Sequence, residues 1–126
     1  MQETPYQIQI QVQTNYLGDQ SDPNADRYVF SYTITIANTG QEPARLLNRH
    51  WIITDADGKV EEVKGDGVVG KQPYLRPGEA FRYSSGAVLK TPVGSMHGSY
   101  GMQGDDGTRF DAEISPFSLA VPNRLH

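Results

Sequence analysis

The 126-residue chain has no cysteine. That removes disulfides, zinc–thiolate centres and thiol nucleophiles from consideration. No apolar stretch approaches the ~20 residues that a membrane-spanning helix needs. No basic segment followed by an apolar run opens the chain, so a cytoplasmic protein without membrane insertion is expected. Basic charge is scarce: eleven Lys and Arg stand against fifteen Asp and Glu, a net charge of −4. A protein that neutralises duplex phosphates carries a basic face, so nucleic acid is not an expected partner. Uninterrupted sequence is scarce too. Thirteen glycines and eight prolines punctuate the chain so often that the longest run free of both is Asn24 to Thr39, which leaves little room for a long helix.

What the chain has instead is alternation. Tyr6, Ile8, Ile10 and Val12 interleave with four glutamines, and Tyr28, Phe30, Tyr32, Ile34 and Ile36 interleave with Ser31, Thr33 and Thr35. A side-chain period of two, rich in aromatic and β-branched residues, is a strand with one buried face. Further strands are expected around Trp51–Thr54, Lys59–Lys64, Phe81–Ser85, Met96–Met102 and Phe110–Ile114, while the segment before Trp51 is compatible with a helical turn. Asp57-Gly58 fits the positive φ values of a primed hairpin turn, and Gly104–Gly107 marks a second hairpin. About seven short antiparallel strands separated by turn signals predict an all-β, immunoglobulin-like or fibronectin type III-like sandwich. One domain over residues 1–126 is expected, with its core over about 6–119. Trp51, Met96, Tyr100 and Met102 are expected in that core.

Gly65, Gly67 and Gly70 in "GDGVVG" match the dinucleotide-binding spacing G-x-G-x-x-G. That motif works only where a strand leads through the glycines into a helix whose N-terminus faces the pyrophosphate. Here Pro73, Pro77 and Gly78 follow within nine residues of Gly70, and no ten-residue helix survives them. Two readings stay open: glycines that satisfy loop geometry, or a nest of N–H groups for a phosphate or carboxylate, flanked by Lys64 and Lys71.

Other chemistry is thin. Ser95 and His97 share a strand face but sit roughly 7 Å apart along it, beyond the reach a nucleophile and base require. His50, His97 and His126 are scattered. Asp19, Asp22 and Asp26, Asp55 and Asp57, and Asp105 and Asp106 fall in turns, where Asp bonds to its own backbone, and none has calcium-loop spacing. No catalytic residue, metal ligand or cofactor is expected.

The combination of "RHW", "GDGVVGKQP", "LRPGE", "YSSG" and "MHGSYGM", continued by "GTRFDAEISPFSL", closely resembles the bacterial ApaG family from about Tyr6 to Leu119. The resemblance implies the same sandwich. It also implies an association with cobalt tolerance and magnesium efflux, and a glycine motif, here Gly65, Gly67 and Gly70, that has been read as a pyrophosphate site. Similar domains in a eukaryotic F-box adaptor and a DNA-polymerase-interacting protein imply partner binding. The leading expectation is therefore a non-enzymatic protein-interaction module that offers a sheet face or edge to a protein partner or, as a homodimer, to a second copy. The alternative is a small-anion sensor using the Gly65–Gly70 loop with Lys64 and Lys71.

Overall fold

The computed structural model describes residues 5–122. Eight strands follow in order: β1 (Ile8–Tyr16), β2 (Tyr28–Asn38), β3 (Ala44–Asp55), β4 (Val60–Asp66), β5 (Tyr74–Leu75), β6 (Ala80–Leu89), β7 (Val93–Gly104) and β8 (Arg109–Ala120). One sheet has the order β1-β2-β6. The other has the order β4-β3-β7-β8, with β5 also paired to β3. All the pairings are antiparallel. This is the all-β, immunoglobulin-like or fibronectin type III-like sandwich that the alternation predicts. The strand beyond the expected seven is β5, whose two residues are too few to leave a period in the sequence.

Alternation translates directly into burial. On β2, Phe30, Tyr32, Ile34 and Ile36 are buried while Ser31, Thr33 and Thr35 remain partly exposed. On the outer face, Thr33 and its register partner Ser84 bond through their hydroxyls at 2.7 Å, a cross-strand pair of the kind that stabilises sheets. Trp51 lies between the sheets. Its ring meets those of Tyr32, Phe117 and Tyr100 edge-on, with centroids 5.4, 5.9 and 6.3 Å away, a geometry favoured by the ring quadrupoles.

The segment before Trp51 forms no helical turn. Ala44 and Leu46 are buried, and Ala44 pairs with both Gly104 of β7 and Leu75 of β5. Pairing on both sides overrides the weak local helical preference. The register shifts between Leu46 and Asn48, a bulge, and beyond it Arg49 and Trp51 share the inward parity.

The β3–β4 turn also differs from the primed form. Gly58 has φ 82°, but Asp57 does not enter the left-handed region. The Gly58 amide donates to the Asp55 carbonyl, and Asp55 Oδ1 accepts from the amides of Asp57 and Lys59. A turn carrying one left-handed glycine is the three-residue hairpin form. The β7–β8 turn repeats the pattern with Gly107 at φ 86° and Asp106 Oδ1 accepting from the Thr108 amide.

The two sides of the sandwich are unlike. On one, β1 packs along β8, Tyr6 stacks on Phe110 at 4.9 Å, and the Tyr6 hydroxyl donates to Asp106 at 2.8 Å. On the other, the edge strands β4 and β6 do not pack along one another. Val60 and Val88 stand exposed there, by 60% and 53%.

Ile34 is wholly buried on the central strand. Ile34→Ala is expected to lower unfolding free energy by about 2–5 kcal/mol in urea titration, against less than about 0.5 kcal/mol for the exposed Gln11→Ala.

Candidate functional site

The glycine loop begins inside β4. Gly65 is the register partner of Arg49, and the Arg49 guanidinium lies across it: a Cβ at Gly65 would stand 2.7 Å from Arg49 Nη2. Gly67 adopts φ 62°, and a Cβ there would meet the Lys71 carbonyl at 2.3 Å. Val68 and Lys71 then close a two-residue turn with reciprocal backbone bonds of 2.8 and 2.9 Å. Both central residues are left-handed, Val69 at φ 44° and Gly70 at φ 79°, which is the primed form. Each glycine of the motif thus has a local steric or conformational reason. After Pro73 the chain enters β5, not a helix.

The turn uses much of its own hydrogen-bonding capacity. The Gly67 amide donates to the Leu47 carbonyl, and the Val68 and Lys71 amides bond to each other's carbonyls. The amides of Val69 and Gly70 at the tip make no hydrogen bond among the described residues. Lys71 adjoins that tip. Lys64 does not: it is the register partner of His50 and lies on the outer face of its sheet, beside His50, Ser99 and Asp111. The fold brings Gly67, Gly70 and Lys71 together in the turn, while Lys64 lies with Gly65 and His50 along the outer face of the sheet.

Val69 is out of place by conformational preference. A β-branched residue in the left-handed region is an outlier, costing roughly 1–2 kcal/mol, and its side chain is 54% exposed. Val68 beside it is wholly buried and anchors the turn to the core.

Beneath the turn lies a cleft of about 290 Å³, walled by Tyr32, Trp51, Tyr83 and Ser85, with Arg49 at its side. Arg49 Nη1 donates to the carbonyls of Asp66 and Gly67 at 2.9 and 3.0 Å, which ties the turn to β3. No carboxylate pairs with this guanidinium: the ion pair formed among the described residues is His50–Glu62, at 2.6 Å on the outer face. The hydroxyls of Tyr83 and Tyr100 bond to one another. Burial pushes Tyr83 up to about 12 and Tyr100 further still, so both are neutral at physiological pH, and the charged residues lining the cleft are Arg49 and the exposed Asp66.

Arg49, Tyr83 and Ser85 were not among the sequence-derived site residues. The signal was present: Arg49 has the parity of Trp51, and a charge at an inward position of a core strand calls for a function or a partner. The bulge at Leu46/Asn48 does not disturb that two-residue spacing.

Elsewhere, Asp55 and Asp106 bind the backbone of their own turns, and Asp105 accepts from the Tyr74 hydroxyl at 2.8 Å. Residues 17–26 form two short 3-10 turns, Gly18–Gln20 and Pro23–Ala25. Among the described residues, no group of three or more His, Asp or Glu is placed to hold a metal ion, and no hydrogen bond joins Ser95 to His97. His126 lies outside the described residues.

Two outcomes follow from this geometry. Val69→Asn, better suited to a positive φ, is expected to raise stability by about 1 kcal/mol in urea titration. The folded-state pKa of Tyr83 lies above its ordinary value of 10. Its contribution to stability is therefore fully present below pH 10 and lost as pH rises towards about 12. Absorbance of tyrosinate on alkaline titration is expected to show a late fraction that appears together with unfolding, and Tyr83→Phe is expected to reduce it.

The geometry can be set beside that of known proteins. Residues 18–104 match the ApaG domain family. The chain is 66% identical to Protein ApaG of Thiobacillus denitrificans over 121 residues, covering 96% of this chain and 95% of that protein. It is 58% identical to Protein ApaG of Methylococcus capsulatus over the full length of both. A crystal structure of an ApaA protein from Bordetella pertussis superposes with a TM-score of 0.92 at 50% identity, covering 94% of this chain and 97% of that one. On the family match, the shared length and the shared fold, the chain belongs to the ApaG family.

Proposed function

We propose that this chain is a protein-interaction module that receives an extended segment of a partner along the free edge of β6. One observation carries the reading. β6 is ten residues long, ends its sheet on the open side of the sandwich, and contains a single charged residue, Arg82. Edge strands that must stay unpaired are guarded by charge, proline or a bulge. The neighbouring edge β4 carries Glu61, Glu62, Lys64 and Asp66, and β8 carries Arg109, Asp111, Glu113 and Pro116. β6 has Arg82 alone as a guard and exposes Val88 by 53%, and β1, the uncharged edge on the other side of its sheet, packs along β8. An unguarded edge beside exposed apolar side chains is what strand addition uses, with backbone bonds giving affinity and side-chain pockets giving specificity.

The alternative, an anion held by the glycine turn, rests on the amides of Val69 and Gly70, unbonded among the described residues, beside Lys71. Two amides and one exposed lysine make a weaker nest than a full loop of converging donors. The association of ApaG proteins with cobalt tolerance and magnesium efflux is read as acting through a bound transporter or regulator, not through metal held by this chain.

A photo-crosslinking residue placed at Val88 is expected to yield a discrete adduct in living cells, and one placed at the exposed Gln11 of β1 is not. An adduct of twice the chain mass identifies the partner as a second copy. Equal labelling from both positions argues against β6. For the anion reading, the expected result is no saturable amide shift at Val69 and Gly70 on titration with pyrophosphate; a saturable shift confined to the turn would favour the sensor.

A further inference from the structure

We infer that the cleft beneath the glycine turn is a subsite for one acidic side chain of the segment that pairs with β6. The inference rests on the reading of β6 as the receiving edge. Arg49 is half-buried and has no carboxylate partner among the described residues. A guanidinium has five N–H donors. Among the described residues the Nη1 group alone makes hydrogen bonds, both to loop carbonyls, which leaves Nη2 and Nε as a fork matched to a carboxylate. The Ser85 hydroxyl lines the same cleft and makes no hydrogen bond among the described residues, so it is a further donor.

The walls favour charge pairing. Tyr32, Trp51 and Tyr83 wall the cleft with aromatic surface, and an ion pair strengthens as the local dielectric falls. Tyr83 and Tyr100 satisfy each other's hydroxyls and stay neutral, so neither competes for the guanidinium. Asp66 also lines the cleft; its carbonyl accepts from Arg49, the residue is exposed, and its carboxylate forms no ion pair with Arg49 among the described residues.

Size narrows the ligand. About 290 Å³ is at the lower end of the ~300–1,000 Å³ of small-molecule sites. One side chain fits. Position supplies the route. Tyr83 and Ser85 are inward residues of β6 itself, so a strand laid on that edge passes the mouth of the cleft. Side chains on a strand alternate between faces, and every second one turns inward towards Arg49. Clear of the turn, Val88 marks the apolar end of the same edge.

The test compares two capped five-residue peptides, threonine-valine-glutamate-valine-threonine and its glutamine counterpart. Each is titrated into isotope-labelled protein while the β6 amides and the Arg49 Nε–Hε resonance are followed. Both peptides are expected to shift β6 amides. The glutamate peptide alone should shift Arg49 Nε–Hε, and it should bind about tenfold more tightly, the usual advantage of a charge-assisted hydrogen bond. Arg49→Lys is expected to keep part of that preference and Arg49→Gln to abolish it. Equal affinity of the two peptides for the unmodified protein, with β6 shifts present, overturns the acidic subsite and leaves the edge reading standing. The absence of β6 and Arg49 shifts up to about 10 mM peptide overturns both. Because the peptide pair is compared on the unmodified chain, the outcome does not depend on whether Arg49→Gln loosens the turn.

Discussion

The packing of Trp51 between the two sheets is the constraint from which the rest of the molecule follows. A sandwich of short strands has no long element to organise it, so the sheets must be held at their spacing by side chains large enough to reach across. Trp51 from β3, Tyr32 from β2, and Tyr100 and Phe117 from β7 and just inside the end of β8 meet edge-to-face. Aromatic pairs of this kind add about 0.5–1.5 kcal/mol each beyond the burial of their surface. The cluster also sets where the core ends. One step along β3 from Trp51, at the same parity, the inward residue is Arg49, and there the apolar interior gives way to a cleft.

Arg49 and the three motif glycines form one mechanical unit. The guanidinium crosses β4 where Gly65 has no side chain and binds the carbonyls of Asp66 and Gly67. The chain then turns sharply through Gly67, Val69 and Gly70 in left-handed geometry. The glycine spacing that imitates a nucleotide fingerprint is here the spacing of a strand end, a close backbone approach and a primed turn. Strain at exposed Val69 is held in place by the buried Val68 on one side and the reciprocal Val68–Lys71 bonds on the other. Such strain persists where the surroundings over-determine it, and it clusters at binding sites.

The asymmetry of the sandwich gives the cleft its setting. Tyr6, Phe110 and Asp106 seal the β1–β8 side, while β4 and β6 stay apart on the other. Charge guards β4 and leaves β6 bare, so the two edges of the open side are not equivalent. A partner strand along β6 would meet the Arg49 cleft beside Tyr83 and Ser85 and the exposed Val88 beyond it.

The fold class was legible in the sequence because burial on one face of a strand imposes a two-residue period, and β1, β2, β6, β7 and β8 all carry it. The absence of a nucleotide-binding helix was legible as well, since Pro73 and Pro77 forbid one through local geometry alone. What the sequence left open depends on contacts between distant residues. The continuous strand from Ala44, the two-residue β5 and the bulge beside Leu47 exist because β7 and β5 pair with β3 from both sides, and no local propensity records that. The same holds for the site. Glycines announce themselves by type and spacing, and so they were found. Arg49 is one of several arginines until β4, β6 and the turn assemble around it. Lys64 flanks the motif along the chain but faces away in space, because adjacent residues of a strand point to opposite sides. Local sterics and side-chain period were determined by the sequence alone; which charge stands unpaired in which cleft was decided by the meeting of the two sheets.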